Sequence, residues 1–160
     1  MRAVLSVTLL YISATLSAWS QDMIDYADPQ RILEVAKGFG SASLTEDTEG
    51  YPFITGRMDG LRYRILFYAC EGTANCDVIQ FRASWANPGL SVAEVNAWNA
   101  SKLFGKAYLA DDGDLFVEYV TSLAYGVTAR NLDDAFEWFS IVLESVGADL
   151  LPRSSTPGKG

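Results

Sequence analysis

Two cysteines, Cys70 and Cys76, sit between two segments of alternating apolar and polar residues, and they constrain the fold more than any other feature of the chain. If the two thiols bridge, the alternating segments run antiparallel in one register. Setting Cys70 opposite Cys76 pairs Phe67 with Ile79, Ile65 with Phe81, Tyr63 with Ala83 and Leu61 with Trp85. Every pair is apolar and falls on one face, whereas a slip of one residue would turn each apolar side chain to the other face. Upstream, Asp59-Gly60 is a two-residue hairpin signal. It pairs Met58 with Leu61, Gly56 with Tyr63 and Ile54 with Ile65. The result is a three-stranded antiparallel meander over Pro52–Met58, Leu61–Tyr68 and Asp77–Trp85.

The N-terminus bears on whether the thiols bridge. Met1-Arg2 supplies one positive charge, Ala3 to Leu16 carries none, and Ala18 and Ser20 place small residues at the −3 and −1 positions of a cleavage site. Residues 1–20 therefore read as an export signal cleaved after Ser20, and the apolar run is too short for a comfortable membrane span. An uncleaved anchor is the alternative. Removal of residues 1–20 takes Arg2 with it and leaves 140 residues with 11 basic and 20 acidic side chains, a net charge of −9. That length suits one domain, 21–150, followed by a polar tail, 151–160, expected to be disordered. In a periplasmic or secreted protein a close, even pair of cysteines bridges; two free buried thiols are the alternative. A chain this acidic is unsuited to general nucleic-acid binding, which phosphate neutralisation drives.

Helical signals flank the meander. Asp28-Pro29 opens a first helix with Ile32, Val35, Ala36 and Phe39 on its apolar stripe, ended by Gly38 and Gly40. A short strand near Ala42–Glu46 follows. Ser91 and Glu94 form a capping box for a second helix, from about Ser91 to Leu103. Val92, Val95 and Leu103 mark its buried face, and the amides Asn96 and Asn99 fall on that same face. Buried amides need partners, so both are expected to hydrogen-bond nearby backbone and fix the packing; a ligand site is the sharper alternative. Lys106–Ala110 and Leu115–Thr121 form a second hairpin around Asp111-Asp112-Gly113-Asp114, whose acids lack the spacing of a calcium loop. Asn131 caps a last helix whose stripe is Leu132, Ala135, Phe136, Phe139, Leu143 and Val146. Trp138 and Ile141 fall outside that stripe, and the widened apolar face would serve a subunit interface, as in a homodimer. The fold class is α+β, an antiparallel sheet flanked by helices in the order α-β-β-β-β-α-β-β-α.

Little here points to a reaction. The chain has no His, which removes the commonest general base and metal ligand and the His-activated nucleophile pairs. Cys-x5-Cys is neither a redox motif nor a zinc site. No enzyme, metal or cofactor is expected. One constellation stands out. On the face opposite the core, Arg57 lies across from Arg62 and Arg64 across from Arg82. Like charges directly opposite are unfavourable. Either Glu118 and other local acids neutralise the arginines, or the four form a platform for an anionic ligand or acidic peptide.

Three stretches resemble a known family: Phe53–Tyr63; Phe67-Tyr68-Ala69-Cys70 with Cys76 and Ile79-Gln80-Phe81; and Val95-Asn96-Ala97-Trp98-Asn99 with Phe104-Gly105-Lys106-Ala107-Tyr108. The chain is similar, over roughly Asp28 to Gly147, to the YbjN-domain family of bacterial sensory transduction regulators. The resemblance implies a fold like that of type III secretion chaperones, which often dimerise and bind other proteins, and it supplies no catalytic residues. The expected function is that of an exported, non-enzymatic binding domain that meets an unidentified protein partner in a chaperone-like or regulatory way. A periplasmic small-anion sensor using the arginine face is the alternative.

Overall fold

The computed structural model describes residues 23–151; the expected signal and the tail from Pro152 lie outside the described residues. In chain order the elements are β1 (Met23–Ile24), α1 (Pro29–Gly38), β2 (Ser41–Glu46), β3 (Pro52–Met58), β4 (Leu61–Tyr68), β5 (Val78–Trp85), α2 (Val92–Ser101), β6 (Lys106–Leu109), β7 (Leu115–Ser122), β8 (Val127–Thr128) and α3 (Ala129–Asp149). Six strands form one antiparallel sheet in the order β2-β3-β4-β5-β7-β6, and β1 pairs with β8 in a separate two-stranded sheet. This is the expected α+β architecture. The β1–β8 pair went unforeseen because two-residue strands carry no periodicity.

The hairpin register holds: Met58 pairs with Leu61, Gly56 with Tyr63 and Ile54 with Ile65. Asp59 and Gly60 take positive φ at the turn, which is what a two-residue hairpin connection of this kind requires. Cys70 and Cys76 are bridged, and Ile65 pairs with Phe81 and Phe67 with Ile79. The ladder between β4 and β5 nevertheless stops at Arg64 and Arg82. The expected pairs Tyr63–Ala83 and Leu61–Trp85 do not form. Beyond Arg64 and Arg82, β4 stays with β3 while β5 stays with β7, so the sheet forks between its third and fourth strands. Gly56 faces this end of the sheet, and a Cβ there would stand 2.5 Å from the Tyr63 ring.

All three helices pack on one face. Ile32, Leu33 and Ala36 of α1 and Phe136, Phe139 and Leu143 of α3 meet Ile54, Ile65, Ile79 and Phe81. Phe81 is the hub, with ring centroids 4.8 Å from Phe136 and 4.9 Å from Phe139. Val95 and Trp98 of α2 join Val142 and Val146 over Ala107, Leu115 and Val117 at the other end of the same face.

Two helices differ from expectation. On α2 the buried residues are Val95 and Trp98, while Val92, Asn96 and Leu103 are exposed. Lys102 is extended, so the helix ends before Leu103 can share its face, and the indole of Trp98 anchors the short helix instead. On α3 the cap is Thr128, three residues before Asn131. The Thr128 hydroxyl accepts from the Asn131 backbone N–H and donates to the Asn131 side-chain oxygen. β8 leaves Thr128 extended, the conformation an N-cap needs. The predicted stripe of α3 is buried throughout; Ile141 is exposed, and Trp138 packs on Phe104 at 4.4 Å.

Candidate functional site

Strand alternation gives the six-stranded sheet a second face, and among the described residues no helix covers it. Phe53, Arg57, Arg62, Arg64, Leu66, Arg82, Phe116 and Glu118 all point there, because their neighbours Ile54, Tyr63, Ile65, Phe81 and Val117 point into the core. The ladders set Arg57 opposite Arg62 and Arg64 opposite Arg82. At the fork this face opens into a groove of about 960 Å³, whose lining includes all four arginines together with Ser43, Thr55, Ser84 and Phe116.

The four guanidiniums are not equivalent. Arg82 has a carboxylate partner: its Nη2 lies 2.8 Å from Glu118, and it also donates to Gln80. Glu118, 3% exposed, is buried by side chains rather than by a layer of structure. Lys106 meets it at 2.7 Å and the Tyr108 hydroxyl donates to it at 2.9 Å. Tyr108 in turn stacks on Phe116 at 5.4 Å. Burial works to raise the Glu118 pKa, but Lys106, Tyr108 and Arg82 together outweigh it and hold the carboxyl below its ordinary value. Burial and the same carboxylate push the Tyr108 phenol up.

Arg57, Arg62 and Arg64 form no ion pair among the described residues. Arg57 donates to the Gly60 carbonyl at 3.0 Å, which stiffens the hairpin turn, and Arg64 lies over the Phe53 ring at 5.3 Å. All three are exposed. The like-charged register is thus relieved on one side only: Arg82 leans to Glu118 across β5 and β7, leaving three guanidiniums beside the groove with their charge uncompensated.

The remaining predicted positions lie elsewhere. Asn99 is on the helix side, where its amide donates to the Ala107 carbonyl and its oxygen accepts from the Ala107 N–H, both at 2.9 Å. Asn96 is exposed and distant in role from Asn99. The disulfide closes the loop between β4 and β5 beside the segment that precedes α1, where the Ala27 N–H donates to the Cys76 carbonyl at 2.8 Å. The acids of the second hairpin are used locally: Asp112 and Asp114 accept from the backbone N–H groups of Asp114 and Asn87. Among the described residues no group of three or more His, Cys, Asp or Glu is placed to hold a metal. A smaller recess of about 390 Å³ lies beside β8, and its Thr128 and Asn131 are engaged in the α3 cap. Buried under the sheet, the Tyr63 hydroxyl has no hydrogen-bond partner among the described residues, and burial pushes its phenol up to about 12. Sequence reasoning missed Tyr108, Lys106 and the fork; the alternation of β6 placed the first two on this face, while nothing in the sequence marked the third.

Among the described residues the domain is α+β, with helices on one face of its main sheet and a charged second face. The chain belongs to the YbjN family, described as a putative bacterial sensory transduction regulator, which it matches over residues 28–151. No curated protein matches it. Among the described residues no helix is long and apolar enough to cross a membrane.

Proposed function

We propose that the protein is a small exported domain that regulates or assists another protein by contact, with no chemistry of its own, and that the uncovered sheet face is the contact surface. One observation carries this reading: helices cover one side of the six-stranded sheet, and the other side presents Arg57, Arg62 and Arg64 without carboxylate partners among the described residues. The family's regulatory description supports the same class of role, and the disulfide supports an oxidising compartment.

A photo-crosslinking side chain at Thr55, which lines the groove, tests the reading in intact cells. The expected result is a discrete crosslinked protein from Thr55 and none from Glu137, which is exposed on α3. Crosslinks confined to Glu137, or absent from both, refute it. The groove favours one second reading, a small-anion sensor. In that case phosphate or citrate at one hundred times its dissociation constant stabilises the fold by about 2.7 kcal/mol, and Arg62→Gln abolishes the effect.

A further inference from the structure

We infer that the groove takes an extended acidic peptide whose carboxylates recur at every second residue. The inference rests on the protein-contact reading above and names the chemistry of the partner. Arg62 and Arg64 are alternate residues of β4 and project on one side, so their Cα atoms are about 6.8 Å apart. Arg57 stands beside Arg62 on the next strand, about 4.8 Å away. The three cations therefore form two anion seats: one shared by the Arg57–Arg62 pair and one at Arg64. An extended peptide repeats its own same-side residues at about 6.8 Å, so carboxylates at positions i and i+2 fall on both seats at once. Planar guanidiniums suit carboxylates.

The alternatives fit less well. A lone small anion reaches one seat and leaves the other unfilled. A single-stranded nucleic acid needs free aromatic faces for its bases, but Arg64 lies over Phe53, and Phe116 is flanked by Tyr108 and Arg82. Its charge would also run past the patch onto the surface of a chain whose net charge is −8. A short acidic segment confines its charge to the groove, and the acidic remainder of the molecule repels it from other positions.

Fluorescence anisotropy with the full-length oxidised protein decides the matter. Two labelled octapeptides of identical composition are compared: Glu-Val alternating, and Glu-Glu-Val-Val repeated, which has no carboxylates two residues apart. The expected result is binding of the alternating peptide at least about tenfold tighter than of the other, with a loss of about tenfold for Arg62→Gln and for Arg64→Gln. Arg130→Gln, an equal charge change at the start of α3, should leave binding unchanged. Melting curves of the three variants establish that they fold. Equal binding of both peptides, equal weakening by Arg130→Gln, or displacement of the peptide by equimolar phosphate or by a single-stranded oligonucleotide overturns the inference. If the peptides fail while Thr55 still crosslinks a protein, the contact reading stands and only the acidic chemistry falls.

Discussion

Glu118 lies on the sheet face opposite the three described helices, and the side chains of Arg82, Lys106 and Tyr108 bury it. Its partners hold its folded pKa below the ordinary carboxylate value. A depressed carboxyl stabilises the fold above its unfolded pKa, about 4.3 for Glu, and that contribution disappears as pH falls through the folded value. Glu118→Gln keeps the shape and removes the charge. Breaking a buried pair can cost about 3–5 kcal/mol where the remaining charge cannot reach water. Here Arg82 and Lys106 are 32% and 65% exposed and rehydrate, so the expected loss is nearer 2 kcal/mol, read from urea unfolding at pH 7. Wild type and variant should converge in acid. The variant keeps part of its own acid slope, because Glu34, Glu94 and Asp149 are also held low by hydrogen bonds, with a nearby lysine adding to the effect at Glu34 and Asp149. A constant gap between the two proteins down to pH 3 would exclude the ion-pair account. The network also makes Arg82 a poor place to test binding: reversing its charge would disrupt Glu118 before it reported on a ligand.

At the scale of elements, β6 is the short outer strand of the sheet, and Asn99 of α2 finishes it. By closing both hydrogen bonds to Ala107, the amide occupies the backbone positions a seventh strand would take, which protects the edge from other chains. Asn99→Leu leaves one donor and one acceptor unpaired, and about 2 kcal/mol of destabilisation is expected. The matching signature is faster hydrogen exchange at the Ala107 amide with little change elsewhere; uniform acceleration would mean that Asn99 supports the core rather than the edge. Much of this scale was legible. Asp59-Gly60 fixed one register because its turn admits few conformations, and the cysteines fixed a second. The fork was not, since alternation continues unbroken through Leu61 and Tyr63 and through Ala83 and Trp85, and alternation reports which face a residue occupies rather than how long two strands stay paired. On α2, ten residues give fewer than three turns, too few for periodicity to choose between Val92 and Trp98 as the buried anchor. The arginine face was visible as a pattern, but which arginine Glu118 would neutralise depended on the pairing of β5 with β7, a contact 36 residues apart.

The molecule as a whole joins an acidic body, one cationic groove and a bridge that fastens the loop between β4 and β5 to the start of the domain. Cys76 is fully buried, and its carbonyl receives the Ala27 N–H, so the bridge sits where three parts of the chain converge. Closing a loop of six residues is worth about 2 kcal/mol in the chain-entropy account, which for a domain of this size corresponds to roughly 6 °C in Tm. Reduction should therefore weaken the protein without unfolding it. The export reading makes a sharper demand. Protein recovered from cells under acid quench should begin at Gln21 and resist thiol alkylation until reductant is added. A version lacking residues 1–20, retained in the cytoplasm, should be alkylated at both cysteines and melt at a lower temperature by about the same 6 °C. Recovery of a reduced chain that still begins at Met1 would contradict export.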